Sequence, residues 1–235
     1  MADQEVKTDT KPKRQFVCEA ITQRLKSESV PFFANDTIHQ YISDSERKQI
    51  QEDAEVVVQD LLRVLCINTN EDHNTKDTHK RVAKMFVNEL MSGRYTAPPS
   101  VTAFPNVKNL NELILVGPID VRSMCSHHLL PFIGSAYIGV LPGEKLIGLS
   151  KYNRVVDWFA SRPQIQEEFT VQVADFLEKE MKPAGLMVVI KAKHLCGCAR
   201  GIEQTSLIVT SAARGIFLGN PHTKAEFLEL IKGMD

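Results

Sequence analysis

Apolar positions change their period near residue 110. Before it they recur at helical spacing, and after it they gather into short runs rich in Leu, Ile and Val. Ile50, Ala54, Val57, Val58, Leu61, Leu62 and Leu65 follow one another at steps of 4-3-1-3-1-3. That spacing predicts a helix with one wide apolar stripe, made for a partner helix or a sheet face. Ser43 or Ser45 can cap its start. A second helix is predicted from Asp77-Thr78, with Val82, Met85, Phe86 and Leu90 inward and its end near Gly93. A short helix over Phe16 to Leu25 precedes both, followed by an irregular connection from Val30 to Asp36. Residues 1 to about 14 hold almost nothing to bury and read as a disordered tail. Tyr95 to Asn109, with three prolines, reads as a loop leading into the second part.

In that second part Leu113 to Val121 and Gly134 to Leu141 have strand composition, with a turn at Pro142-Gly143. A helix beginning at Ser150 carries Val155, Val156 and Phe159, and Arg162-Pro163 breaks it. A longer helix follows with Phe169, Val173, Phe176, Leu177 and Met181 inward, stopped by Pro183 and Gly185. Leu186 to Ala192 and Gln204 to Ser211 are strand-like, and a last helix covers about His222 to Lys232. The order β-β-α-α-β-β after a helical part defines an α+β fold class.

Composition narrows the function classes. The chain has 235 residues, 43% apolar and 24% charged, enough for one domain, or for one domain with a helical extension. A formal charge of −1 gives no global attraction to nucleic acid or to an anionic membrane, so any polyanion must be met by a local cluster of cations. No apolar run approaches the ~20 residues of a membrane span, and the first residues lack a signal-peptide core. Five cysteines without dense spacing fit a reducing compartment. The expectation is a cytoplasmic protein with neither a nucleic-acid nor a membrane partner.

Candidate chemistry lies between the predicted strands. Cys125-Ser126-His127-His128 follows the first strand, and His194-Leu195-Cys196 ends the third. Cysteine and histidine are the ligand types zinc prefers. Cys125, His128 and Cys196 would supply three ligands and leave a fourth position for water, the layout of a catalytic rather than a structural site. His127 and His194 lie beside them and could move protons. The same residues also read as small buried thiols and satisfied histidines, so the grouping is what gives them weight.

Four segments in order, Cys125 to His128, Gly148-Leu149-Ser150-Lys151, Arg162 to Glu167, and His194 to Cys196 with Ala199-Arg200-Gly201, resemble GTP cyclohydrolase I of the zinc-dependent type. The match runs from about residue 45 to the C-terminus. The resemblance implies a tunnelling fold, a four-stranded antiparallel sheet with two helices on one face, preceded by an N-terminal helical extension. It divides the chain into a flexible polar segment 1–36, a helical extension 37–110 and a catalytic domain 111–235. It also implies a homo-oligomer, a decamer of two stacked pentamers with active sites shared between chains.

The implied reaction opens the imidazole ring of GTP, releases C8 as formate and yields 7,8-dihydroneopterin triphosphate. Zn2+ on Cys125, His128 and Cys196 would acidify a water. His194 is the implied proton donor and His127 a second acid-base group. The spacing in the family selects Cys196 over Cys198 as the ligand. Glu167, an acceptor-only carboxylate, is matched to the guanine donors, with Gln166 giving and accepting beside it. Ser150, Lys151, Arg154, Arg200 and Arg81 match phosphate-binding positions.

Three positions depart from the family pattern: Ser126 where Glu is usual, Glu168 where Arg is usual, and His79 where Pro is usual. Glu168 would weaken the hold of Glu167 on guanine if the two carboxylates lie close. The departures keep a second class open, a homologue that binds zinc and a nucleotide as a regulatory subunit. Retention of both histidines favours the enzyme. A zinc deaminase is disfavoured, because its His-x-Glu and Pro-Cys-x-x-Cys arrangement is absent.

Overall fold

The computed structural model describes residues 15–234, so the tail expected over the first fourteen residues lies outside the described part. The chain divides into two compact units, one holding residues up to Pro31 and from Tyr41 to Ala83, the other Phe32–Gln40 and Lys84 onward. Residues 32–40 and 84–110 group with the sheet-bearing unit.

The first unit is helical. α1 spans Val17–Ser27 and α2 spans Asp44–Val64. Ser43, not Ser45, caps α2: its hydroxyl accepts from the Glu46 amide at 3.2 Å, and its own amide donates to the Glu46 carboxylate at 2.9 Å. Arg24 Nη2 donates to the same carboxylate at 2.7 Å. The arginine and the cap together hold the Glu46 carboxyl down at about 2. A depressed carboxyl stabilises the fold at pH values above the unfolded pKa and loses that contribution as pH falls through the folded value. Glu46→Gln is therefore expected to flatten the loss of helical circular dichroism between pH 5 and pH 2, while costing stability at neutral pH. The predicted stripe on α2 forms, but its C-terminal part faces outward, with Val57, Leu61 and Leu65 each more than half exposed.

α3 (Thr78–Met85) continues through a wider turn over Phe86–Leu90 into α4 (Ser92–Tyr95), close to the predicted end. In the second unit, β1 (Ala103–Pro105) lies in the stretch read as loop. β2 is Ile114–Cys125, β3 Pro131–Leu141 and β4 Lys145–Ile147, and β1 pairs with β4. α5 (Leu149–Ala160), β5 (Pro163–Gln164) and α6 (Gln166–Met181) follow. α6 stops at Lys182, which takes a left-handed conformation just before Pro183. β6 is Gly185–His194, α7 Leu195–Cys198, β7 Leu207–Gly215, α8 Ile216–Gly219 and α9 Pro221–Lys232.

The main sheet runs β5-β2-β3-β6-β7, antiparallel except for the short parallel pair of β5 with the end of β2. Alternation along the strands sorts side chains to two faces. Ala136, Ile138, Val188 and Ile190 meet Val155, Val156, Phe169, Val173 and Leu177 of α5 and α6 in the larger core. Tyr137, Met187 and Val189 point the other way and pack on Phe217 and on Phe227 and Ile231 of α9. A Cβ at Gly139 would lie 2.6 Å from the Phe227 ring, so this glycine is what lets α9 approach β3. Among the described residues no helix is long and apolar enough to cross a membrane.

Candidate active site

The register of three neighbouring strands brings the chemical residues to one end of the sheet. Cys125 ends β2, and its amide and carbonyl close the turn to β3 through Leu130 O and Leu129 N, both at 2.9 Å. β3 starts there with Phe132 directly opposite His194, the last residue of β6. β3 lies between β2 and β6, so the ends of the outer two face each other across its start. β5 reinforces the turn, with Gln164 O accepting from the Ser126 amide at 2.9 Å.

Cys125 Sγ, a ring nitrogen of His128 and Cys196 Sγ all lie within 4.8 Å of one another. Metal–ligand bonds of about 2.0–2.3 Å in a tetrahedron require ligand separations of about 3.5–3.8 Å, a small inward adjustment of these side chains. Burial and the adjacent Cys125 sulfur push the Cys196 thiol up, with Arg200 opposing. A thiol whose ionisation is opposed by burial and by a neighbouring sulfur is relieved by a cation between the two, so the donor set fits a metal. α7 places Cys198 two residues from Cys196, about 200° around a helical turn, so the two thiols leave the backbone in opposite directions.

His194 is held on two sides. Its ring stacks on Phe132 at 4.5 Å with 9° between planes, and its Nε2 lies 2.8 Å from Gln166 Oε1. The Gln166 Nε2 donates towards Ile190 O at 3.1 Å and Ile208 O at 3.0 Å. Two carbonyl acceptors fix that end of the amide as nitrogen, so the end facing His194 is oxygen and His194 Nε2 carries the hydrogen. Nδ1 is left for exchange. Desolvation lowers the His194 pKa, and the charge of Glu167 pulls the other way. The side chain of Gln166 is buried and hydrogen-bonded to these partners. Its role as a support of His194 had no signal in the sequence.

His127 is exposed, its Nδ1 3.8 Å from Cys125 Sγ. Arg200 is exposed and close enough to Cys196 to influence its charge. The other expected phosphate ligands are not gathered here. Ser150 lines a cleft of about 480 Å3 beside the β2 bulge at Gly117-Pro118, and Arg154 an adjoining one of about 260 Å3 with Asp120 and Arg122. Lys151 Nζ donates to Ser100 O at 2.8 Å. The far end of α5 is the one tied to the metal turn, through Gln164 and Phe159 O. Ser150 is therefore about 14 Å of helix rise from Phe159. Arg81 belongs to the first unit, where its Nη2 donates to Asn74 O at 2.9 Å.

The fold and the site define an α+β protein with a candidate three-ligand metal centre and a braced histidine at the end of its sheet. The family model described as GTP cyclohydrolase I matches residues 45–232. GTP cyclohydrolase 1 of Aquifex aeolicus (strain VF5) is 45% identical over 160 residues, 68% of this chain and 85% of the relative. The protein of that name from Sulfurihydrogenibium sp. (strain YO3AOP1) is 42% identical over 178 residues, 74% of this chain and 93% of its own. That of Mycobacterium avium (strain 104) is 42% identical over 182 residues, 76% and 88% of the two chains. The apo crystal structure of the archaeosine synthase QueF-Like overlays at a TM-score of 0.35 and 15% identity, covering 53% of this chain and all of that one, too little to decide anything. The chain belongs to the GTP cyclohydrolase I family.

Proposed function

We propose that the protein is an active GTP cyclohydrolase I, hydrolysing the guanine imidazole ring of GTP to release formate and form 7,8-dihydroneopterin triphosphate. The observation that carries this reading is the meeting of Cys125, His128 and Cys196 beside a histidine whose tautomer is set by Gln166. Cys125, His128 and Cys196 would hold a zinc ion, which would lower the pKa of a bound water to about 7. The chain's own groups do the rest. His194, with Nε2 engaged, offers Nδ1 for proton transfer at N7 of the base, and Phe132 keeps the ring in plane. Glu167, exposed at the start of α6 and electrostatically coupled to His194, accepts from the guanine donors. Arg200 meets the triphosphate on the metal side, and His127 is placed to assist at the metal turn.

The separation of Ser150, Lys151 and Arg154 from the metal end supports a site completed by neighbouring chains, with Arg81 supplied likewise. Open edges support it too. β7 is an edge strand with Leu207 and Val209 more than half exposed, and β5 covers only the last two residues of β2. Pairing of β7 on the free edge of β2 in the next copy would continue the sheet into a ring, as the tunnelling fold does. The decisive experiment is incubation with GTP and zinc of fractions separated by size. Formate and a pterin product should appear only in species far larger than the 26.4 kDa chain. Tight GTP binding without formate would replace this reading by that of a regulatory binder, and full activity in a monomer would remove the shared site.

A further inference from the structure

Ser126 and Glu168, two of the positions that depart from the family pattern, are walls of one cleft. It measures about 270 Å3 and is lined by Phe33, Ala34, Asn35, Ser126, Pro163, Ile165 and Glu168. Ser126 comes from the metal turn, Glu168 from the first turn of α6, and Phe33 to Asn35 from a strap that precedes Ile38. Neighbouring helix residues diverge by about 100°, so Glu167 and Glu168 serve different sides. Glu168 Oε2 accepts from Asn35 Nδ2 at 2.6 Å, across 133 positions of sequence.

The strap is also held by the Asp36 carboxylate, which accepts from the Phe33 amide at 2.7 Å, by Thr37 Oγ1, which donates to Arg94 O at 3.2 Å, and through its backbone. Arg162, buried and stacked 3.8 Å over Trp158, donates to Asn35 O at 3.0 Å. Arg94 Nη1 donates to Phe33 O, to Ala34 O at 2.6 Å and to Asp36 O at 3.1 Å, and Arg94 O accepts from the Ile38 amide at 2.8 Å. Asn35 to Glu168 is the side-chain link from this strap to the helix that carries Gln166 and Glu167. The cleft beneath it is where a residue longer than Ser126 would enter.

We propose that Asn35 and Glu168 form a clasp that fixes the strap against the start of α6, and that residues 126 and 168 act as one unit. Glu168 is then a positioning residue for Glu167, and Ser126 is the small uncharged neighbour that a carboxylate at 168 requires. A carboxylate at 126 would share the cleft with Glu168, and the repulsion would open the clasp. The link to GTP affinity rests on the reading of the site given above, whereas the clasp itself does not.

The test is amide hydrogen exchange over residues 33–38 in the zinc-loaded full chain without GTP, paired with kcat and KM for GTP. A hydrogen bond to an exposed charged group is worth enough for Glu168→Ala and Asn35→Ala each to speed exchange there about tenfold, and the double variant should add nothing further. Glu168→Gln, which keeps an acceptor for Asn35, should exchange like the unmodified protein. Ser126→Glu should speed exchange and raise KM more than it lowers kcat, and adding Glu168→Gln should reverse both. Unchanged exchange in both alanine variants overturns the clasp. Effects of Ser126→Glu that do not depend on residue 168 overturn the coupling. Should the unmodified protein make no product, the exchange results still decide the clasp on their own.

Discussion

His194→Ala should lower turnover of GTP by about 10²–10⁴-fold, the usual contribution of a positioned acid-base group, with zinc content and GTP affinity close to their starting values. The expectation rests on how much structure is devoted to this one ring. Phe132 stacks on it, Gln166 receives its Nε2 hydrogen, and two sheet carbonyls and Thr210 Oγ1 anchor Gln166 in turn. None of these contacts is needed to hold a metal, since His194 is outside the three-ligand group. Its Nδ1 is the atom left for exchange, so the loss should fall on kcat. Single-turnover formation of product, read by pterin fluorescence after oxidation, separates this from slow product release. Turnover unchanged in His194→Ala would remove the residue from the mechanism.

Cys196→Ser should leave the protein with little bound zinc and with activity reduced in proportion, while Cys198→Ser keeps about one zinc per chain. Only Cys196 lies within ligand distance of Cys125 and His128, and the helical turn of α7 directs Cys198 away. Removing one of three ligands leaves two, below the number from which catalytic zinc sites are built. Metal analysis per chain is the measurement, and loss of zinc in Cys198→Ser alone would reverse the assignment. The same site should take up zinc less readily as pH falls. Burial and Cys125 raise the Cys196 thiol pKa in the metal-free chain, and both thiols must lose protons before they ligate. Acid therefore competes with zinc, and the apparent affinity should climb as pH rises towards the thiol range.

The elements of this fold were legible wherever a local pattern carried them. The α2 stripe, its serine cap, the strand runs on either side of residues 125–128 and the α6 apolar face all follow from period and capping, which are properties of neighbouring residues. The ligand types at 125, 128 and 196 were legible as well, because only a few side chains bind zinc. Tertiary structure decided where polar side chains went. Gln166 was expected beside Glu167 as a reader of the base. It turns inward because β6 and β7 present two carbonyls and Thr210 beneath the start of α6. Glu168 was expected to press on Glu167 only if the two lay close, and its carboxylate accepts from Asn35. The pairs β1–β4 and β2–β5 escaped notice because runs of two or three residues have no period and persist only on a partner supplied by the rest of the fold. The sequence alone thus determined the longer helices and strands and which residue types can hold a metal. Only the tertiary structure decided that Gln166 lies against His194 and that Asn35 meets Glu168. Such pairings join residues far apart along the chain, and their energies depend on a geometry that no local stretch encodes.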